Sequence, residues 1–461
     1  AANPVNWIVS AGILAATIYF LLKQDSRGWL IIAAEIILGG AGSFFEIYGI
    51  SLRTCLLIIS ITIFFYQQYP SIYPSPKRGG ARGGVYIMSC ILVVAGISAV
   101  RGYYLGHAPR LIIADVVPYL FFLYYFPLKQ LLQSEKFTKM SLNFLISAII
   151  GNFIFIYFTL AGFSSEIFVL QDSYYHWFRD VAGGKITDYG TGFFRILLNE
   201  QLLIVPLFLW LFSKILTSPP FQGGERPARS ALQSEAGGGG LPLIETVNAS
   251  ATPSSLPLGK GEMTIAVAMA GVLLGILTIN ITRIYLIALA TGILFLFSRQ
   301  NWKRPARTTE VIQSGGWLTY SAAAFVFFIS VFTLTHLAAT KGKSLGWEYL
   351  GLRLQSIASP QIEDSSLSRM LLLPKIVEKI KLHPLLGNGL GDTVTVYSPI
   401  FKTNITTPHF DWGYLEIMAE MGIIGLAAWL SFITYLLFSI KNNKALLASF
   451  VALLVINITS P

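Results

Sequence analysis

Apolar runs long enough to cross a lipid bilayer recur along the whole chain. A helix needs about 20 residues to cross roughly 30 Å of hydrocarbon. Because lipid offers no hydrogen-bond partners to the backbone, a membrane-spanning segment must be a helix or a strand of a closed barrel. These apolar runs are continuous and lack the alternation of apolar and polar residues that barrel strands show. The sequence therefore predicts an all-α polytopic membrane protein with about twelve transmembrane helices, near residues 6–22, 28–48, 50–67, 85–100, 110–127, 140–162, 191–216, 263–279, 282–298, 315–335, 413–439 and 445–459.

The composition agrees with a membrane protein and argues against other classes. Hydrophobic residues make up 54% of the chain and charged residues 12%, and the mean hydropathy is +0.62. One soluble core could not bury so much apolar surface. The net charge of +10 is spread over several loops, so we expect no nucleic-acid partner. Cys55 and Cys90 both fall in predicted spans and are expected to be free thiols.

Basic residues predict the orientation, because short cytoplasmic loops are rich in lysine and arginine. We assign the basic side to the cytoplasm, the protein to the cytoplasmic (inner) membrane, and the large loop between the tenth and eleventh helices to the outside, the periplasmic side. We expect the ends to be incomplete, since the first residue is Ala1 and the last, Pro461, follows an apolar run. Residues 13–22 lack a cleavage pattern and a basic leader, which favours a helix over a signal peptide. The basic residues are Lys23, Arg27, Lys77, Arg78, Arg82, Lys129, Lys136, Lys139, Arg299, Lys303, Arg304, Arg307, Lys441 and Lys444.

Changes in composition divide the chain into five parts. Residues 218–262 are rich in Gly, Pro and Ser and predict a disordered cytoplasmic insertion. An N-terminal transmembrane bundle, residues 1–217, precedes the insertion, and further transmembrane helices, residues 263–335, follow it. Residues 336–412 form the external loop, which we expect to be partly helical, and residues 413–461 form the C-terminal transmembrane helices.

The external loop is patterned rather than of low complexity. Apolar residues in 366–380 suit a short amphipathic helix, or two helices broken at Pro374. The loop also carries three of the five histidines, His336, His383 and His409. Loops of roughly 70 residues with structure of their own are usually functional.

Two segments of this half of the chain resemble a known family. HPLLGNGLGD at 383–392, followed by HFDWGYLEIMAEMGIIGLAAWL at 409–430, resembles the C-terminal signature of the O-antigen ligase and O-antigen polymerase superfamily. TRIYLIALATGILFLF at 282–297 resembles the arginine-bearing segment of the same family, with Thr282 where a serine is usual. Weaker similarity extends to residues 35–53 and 106–122. The resemblance implies a cell-envelope glycosyltransferase of polysaccharide biosynthesis that uses a glycan linked to undecaprenyl diphosphate or a related polyprenyl diphosphate.

Glycan transfer from a lipid diphosphate needs cations for the leaving group and a base for the attacking hydroxyl. Arginine suits the diphosphate because its planar fork binds phosphate oxygens and stays charged. The candidates lie at or near external ends of predicted spans: Arg283 and Arg195, and further Arg53 and Arg101, with Arg110 as another arginine at this depth. Each could instead anchor a helix at the membrane interface, which is the stronger alternative for Arg53, Arg101 and Arg110.

Nearby polar residues could bond to the candidate arginines. Asn199, four residues after Arg195, could bond to it if both lie on a helix. Glu35 and Asp115, inside predicted spans, are expected to pair with arginines, and a proton relay is the alternative.

His409 is the candidate catalytic residue. It follows Pro408 where the loop re-enters the membrane, and imidazole can accept a proton near neutral pH. The resemblance implies a general base, while a helix cap or interfacial group is the alternative. Tyr414 and Glu416 are candidate substrate contacts, and Glu416 could orient His409 or pair with an arginine. His383 is expected to cap the glycine-rich turn.

No metal or cofactor is expected. GNGLGD has neither the preceding strand nor the following lysine of a phosphate-binding loop. It therefore predicts a tight turn near the membrane surface. The sequence contains no Asp-x-Asp and no convincing metal-ligand spacing. We therefore expect a metal-independent reaction.

The preferred hypothesis is a transferase that moves the glycan to an acceptor sugar hydroxyl on the external face. Its partners would be the lipid-linked donor, a saccharide or lipid-linked saccharide acceptor, and membrane lipids. Ligation and polymerisation need the same parts, and both stay open. The alternative is a transporter or flippase of lipid-linked oligosaccharide, which predicts internal repeats with broken spans; the sequence has no clear repeat.

Overall fold

The computed structural model describes residues 4–39, 44–47, 50–68, 82–217, 260–298, 316–359, 364–398, 402–408 and 410–458. Six helical segments among them are long and apolar enough to cross a membrane: Gly84–Tyr104, Pro109–Leu131, Glu135–Ser164, Glu262–Asn280, Ala322–Ala339 and Gly413–Ile440. Shorter apolar helices accompany them. The helical membrane protein is thereby confirmed, but the number twelve is not. The predicted disordered insertion lies, up to residue 259, outside the described residues.

Helices dominate the described residues, in the order α1 (Pro4–Leu22), α2 (Arg27–Leu38), α3 (Leu52–Gln68), α4 (Arg82–Tyr104), α5 (Pro109–Leu120), α6 (Tyr125–Leu131), α7 (Glu135–Ser164), α8 (Ser173–Asp180), α9 (Ile204–Thr217), α10 (Lys260–Asn280), α11 (Arg283–Ser298), α12 (Gly316–Ala339), α13 (Trp347–Ala358), α14 (Asp364–Leu382), α15 (Gly413–Ile440) and α16 (Lys444–Ile456). The amphipathic helix expected over residues 366–380 is present as α14, which continues through Pro374.

Three small antiparallel hairpins interrupt the helices: β1 (Glu46–Ile47) with β2 (Ile50–Ser51), β3 (Lys185–Asp188) with β4 (Phe194–Leu197), and β5 (Val394–Ser398) with β6 (Thr403–Thr407). The β3–β4 turn contains Gly190 and Gly192, whose positive φ angles of 77° and 90° suit glycine. The expected span over residues 191–216 is therefore wrong in its first part, where a strand and a 3₁₀ turn (Asn199–Leu203) precede α9. Arg195 lies on β4, so the helical spacing to Asn199 does not apply.

The largest core joins α7, α9, α10, α11 and α16 around side chains such as Ile156, Leu209 and Leu277. Helix α16 packs against both α9 and α11. Its Ala448 and Ala452 are fully buried, and such small residues let helix backbones approach closely in lipid. A second cluster joins α1, α2 and α3 around Leu52 and Leu56.

Helix α15 is broken at Gly422, whose φ of 67° and ψ of −169° are not helical. Residues 383–392, which we call the glycine wedge, enter this break. The amide of Ile423 donates to the carbonyl of Pro384 at 2.9 Å, and the carbonyl of Glu420 accepts from Gly389 at 2.9 Å. Backbone groups freed by the break thus find partners in the wedge, as they must inside a membrane protein.

Glycines are required where the wedge meets its neighbours. Gly387 and Gly389 have φ angles of 69° and 87°, and a Cβ atom on Gly389 would lie 2.4 Å from the amide nitrogen of Gly102 in α4. The predicted tight turn is confirmed, and its expected position near the membrane surface stays a prediction. Residues 387–392 are buried between α4 and α15.

Candidate active site

Arg195 reaches the break between α10 and α11. Its Nε atom donates to the carbonyl of Asn280 at 2.7 Å, and its Nη2 atom donates to the hydroxyl of Thr282 at 2.8 Å. Asn280 ends α10 and Arg283 begins α11, while Ile281 between them has a φ of 42°. We call Arg195, Asn280, Thr282 and Arg283 the arginine junction. Arg195 thus contacts the residue that precedes Arg283, the other candidate for diphosphate binding.

Buried polar groups hold the arginine junction in place. The Asn280 side chain donates to Gln201 and accepts from the Thr282 hydroxyl. Arg195 is 9% exposed, Gln201 1% and Asn280 0%. A connected network of this kind fixes the direction of the guanidinium group.

The arginine junction carries groups whose chemistry suits an anion. Arg283 is half-buried and opens a helix of 16 residues. The first turn of a helix carries the positive end of its dipole, and guanidinium groups bind phosphate oxygens in a bidentate manner. A phosphate group is therefore a suitable ligand chemically.

Arg53 contacts the end of α2. Its Nε atom lies 2.9 Å from Glu35 Oε2, and its Nη2 atom donates to the carbonyls of Glu35 and Ile36, each at 3.1 Å. The side chains of Arg53 and Glu35 are 19% and 4% exposed. The expectation that Glu35 pairs with an arginine is confirmed, and this arrangement favours a structural role for Arg53.

Arg101 contacts the glycine wedge. At the end of α4, its Nε atom donates to the carbonyl of Gly387 at 2.7 Å. Asp115 of α5 accepts from the amide of Gly391 at 2.7 Å. Arg110, by contrast, is exposed at the start of α5. Arg101 therefore helps hold the wedge, and its role as a substrate contact stays a prediction.

A charged cluster at the wedge was missed by sequence reasoning. Asp392 is 6% exposed and accepts from Lys379 Nζ at 2.7 Å and 2.8 Å. The Nδ1 atom of His107 lies 2.9 Å from the carbonyl of Leu390, and its Nε2 atom lies 3.9 Å from Asp392. The only sequence signal was the acidic residue that closes the glycine-rich motif.

His409 lies outside the described residues, whereas the residues that follow it in the sequence are described. The amide of Phe410, the next residue, donates to Glu416 Oε2 at 3.3 Å. Phe410 is fully buried. Helix α15 begins at Gly413, so Glu416 lies in its first turn. Glu416 bonds to the backbone beside His409, so its orienting role stays a prediction with local support.

Tyr414 and the other histidines have different surroundings. The Tyr414 hydroxyl donates to the carbonyl of Leu454 in α16 at 3.1 Å. His383 is exposed, and its carbonyl accepts from Gly387. His336, expected in the external loop, lies in α12, where it is fully buried and stacks on Phe193 at 3.8 Å between ring centroids.

Helix α16 connects the arginine junction to the start of α15. The Ser449 hydroxyl donates to the carbonyl of Pro206, which follows Gln201 on the segment that supports the junction. Five residues later in α16, Leu454 holds Tyr414. Both groups of candidate residues thus rest on the same helix.

Among the described residues, no group of three or more His, Cys, Asp or Glu is arranged to hold a metal ion. The expectation of a metal-independent reaction is a separate prediction, which the experiments below address.

Comparison with known families identifies one domain. Residues 267–430 match the family model described as O-antigen ligase. No curated protein and no solved structure matches the chain. The match begins in α10 and ends in α15, so it includes Arg283, the glycine wedge and Glu416, whereas Arg195 lies outside it. The chain is a helical membrane protein whose residues 267–430 are similar to the O-antigen ligase family.

Proposed function

We propose that the protein is a membrane glycosyltransferase that moves a polyprenyl-diphosphate-linked glycan to a hydroxyl group of an acceptor sugar. The reaction takes place on the periplasmic side of the cytoplasmic membrane. One observation carries the proposal. Arg195 lies on a strand outside the family match and binds the break between α10 and α11, and Arg283, which follows this break, lies within the family match. Arg195 therefore lies beside the N-terminus of the helix that Arg283 begins.

The arginine junction serves the leaving group. When the bond between the sugar and the diphosphate breaks, negative charge grows on the diphosphate oxygens. Fixed cations that face this charge stabilise the transition state more than the ground state. Arg195 is held by the Asn280 carbonyl, so it does not have to reorganise during the reaction. Two guanidinium groups and a helix dipole supply the positive charge without a metal ion.

His409 serves the nucleophile. Its imidazole takes the proton from the acceptor hydroxyl as the oxygen attacks the anomeric carbon, and direct displacement of the diphosphate inverts that carbon. Glu416 positions His409 by binding the amide of Phe410. Tyr414 anchors the start of α15 on α16, which also packs against α11.

A transfer assay with purified protein, a polyprenyl-diphosphate-linked glycan and a sugar acceptor tests this proposal. We expect His409→Ala and Arg283→Ala to lower kcat by about 100-fold or more, the usual scale for a lost base or charge-stabilising group. The matched controls are His383→Ala and Arg110→Ala, which remove an exposed imidazole and an exposed guanidinium. They should keep the wild-type rate, and a chelator should have no effect.

Several outcomes would contradict the proposal. Wild-type activity in both His409→Ala and Arg283→Ala would contradict the assignment of the active site. Inhibition by a chelator would contradict the metal-independent mechanism. Lipid A core sugars and glycan repeat units, offered as acceptors in turn, distinguish ligation from polymerisation.

A transporter of lipid-linked oligosaccharide is the competing proposal. Broken helices are common in transporters, and α15 is broken at Gly422. The break is filled by the backbone of the glycine wedge, however, which leaves it satisfied by protein rather than open to a substrate. Movement of lipid without a new glycosidic bond would support the transporter.

A further inference from the structure

Helix α13 contacts both elements that carry the arginines of the junction. It packs against α11, the helix that Arg283 begins. It also contacts the turn of the β3–β4 hairpin, whose second strand carries Arg195. One helix outside the arginine junction therefore touches the elements that supply both guanidinium groups.

Two residues of α13, one helical turn apart, make the contact with the hairpin turn. Arg353 Nη2 donates to the hydroxyl of Tyr189, and Arg353 Cζ lies 5.5 Å from the centroid of the Tyr189 ring. The hydroxyl of Tyr349 is hydrogen-bonded to that of Thr191. The ring centroids of Tyr349 and Tyr189 are 4.8 Å apart. Because residues four apart lie on one face of a helix, this face of α13 covers the turn.

The hairpin turn lies close to Arg195 along the chain. The amide of Tyr189 donates to the carbonyl of Phe193 at 3.3 Å and closes the turn. Arg195 follows Phe193 by two positions and pairs with Thr187 of β3. Arg353 is only 6% exposed, and a buried guanidinium group is costly unless it is well bonded. Its bond to Tyr189 therefore holds α13 and the turn in one fixed arrangement.

We infer that Arg353 and Tyr189 are positioning residues for Arg195, and that their contact sets how well the arginine junction binds a diphosphate. The inference rests on the diphosphate role that the proposed function gives to Arg195. A binding group that is already held in place loses less freedom when its ligand arrives, which raises the affinity. Loosening the turn should therefore weaken diphosphate binding although Arg195 itself is unchanged.

Tyr189→Phe tests the inference, because it removes the hydroxyl that accepts from Arg353 and keeps the ring. Tyr397→Phe is the matched control, since Tyr397 lies on another hairpin and is 58% exposed. Isothermal titration of the detergent-solubilised full chain with inorganic diphosphate measures the dissociation constant. We expect Tyr189→Phe to raise this constant about fivefold, the usual size of a coupling within one network. Tyr397→Phe should leave it unchanged.

A double-mutant cycle shows whether the effect passes through Arg195. Arg195→Lys should weaken diphosphate binding by itself, and adding Tyr189→Phe to it should weaken binding by no more than about twofold further. Losses that multiply would mean that the two sites act independently and would overturn the inference. Unchanged binding in Tyr189→Phe alone would overturn it as well. Unchanged binding in Arg195→Lys would instead contradict the proposed function, whatever Tyr189→Phe shows.

Thermal unfolding in detergent separates positioning from stability. A purely structural role of the contact lowers the melting temperature and the number of binding sites in the titration, but the folded protein keeps the wild-type dissociation constant. That result would overturn the inference. Arg353→Lys is the second variant should Tyr189→Phe fail to fold, because it keeps the charge and loses the planar fork. It should also raise the dissociation constant about fivefold, whereas Arg179→Lys, at an exposed arginine, should not.

Discussion

The Nε atom of Arg195 donates a hydrogen bond of 2.7 Å to the main-chain carbonyl of Asn280, the last residue of α10. The same guanidinium group reaches the hydroxyl of Thr282 on the other side of the break. Arg195 therefore spans the interruption between two helices, and it fixes the position at which α11 and Arg283 begin.

Replacing Arg195 with lysine tests this geometry. Lysine keeps the charge but cannot donate from two separated nitrogen atoms, because its ammonium group is a single point. A hydrogen bond to a charged group contributes about 1.5–3 kcal/mol. We expect Arg195→Lys to lower kcat/KM in the transfer assay by about tenfold to a hundredfold. Arg179→Lys, at an exposed arginine of α8, is the control and should have no effect. A wild-type rate for Arg195→Lys would mean that only the charge matters.

Thr282 separates the role of the hydroxyl from that of side-chain volume. Its oxygen accepts from Arg195 and donates to the Asn280 side chain. Thr282→Val keeps the shape and removes both bonds, so we expect kcat/KM to fall about tenfold. Thr282→Ser keeps the hydroxyl and should retain nearly full activity. Equal rates for the two variants would contradict a role of this hydroxyl in the junction.

Gly422 tests the broken helix. With φ at 67° and ψ at −169° it occupies a region available almost only to glycine, and an added Cβ atom would lie 2.2 Å from the carbonyl oxygen of Leu385. We expect Gly422→Ala to destabilise the protein by about 1–3 kcal/mol, measured by thermal unfolding in detergent. Gly96→Ala, where added atoms meet open space, is the matched control. Equal melting temperatures for the two variants would mean that the wedge does not stabilise the break.

The pair of Arg53 and Glu35 tests whether Arg53 is structural. Removing one partner leaves a charge buried without its counterion, at a cost of about 3–5 kcal/mol, whereas replacing both with apolar residues is often tolerated. We expect Arg53→Met to lower the melting temperature, the double variant Arg53→Met/Glu35→Met to recover it, and donor binding to the double variant to stay normal. Weaker donor binding in the recovered double variant would instead make Arg53 a substrate contact.

The sequence predicted those features that depend on local composition. Continuous apolar runs identified the helical membrane protein, and the spacing in residues 366–380 identified α14. Hydropathy failed at residues 191–203, because a short buried strand and a helix are equally apolar and only the glycines at 190 and 192 marked the hairpin.

The candidate site was predicted only in part, since its geometry comes from distant contacts. Arg195 and Arg283 were both candidates, but nothing in the local sequence pairs Arg195 with Asn280, 85 positions away. The burial of the glycine wedge depends on backbone groups released at Gly422, so a polar motif that resembles a surface turn fills a helix break. The placement of His409 relative to Arg283 stays a prediction.

The contact between α4 and α15 has a consequence for biosynthesis. The Ser98 hydroxyl donates to the carbonyl of Glu420 at 2.8 Å across 322 positions of the chain, and Arg101 binds Gly387 across 286. At usual rates of translation this separation corresponds to a delay on the order of tens of seconds. The first helices must therefore stay in the bilayer without these hydrogen-bond partners. The contacts form when the last quarter of the polypeptide has left the ribosome.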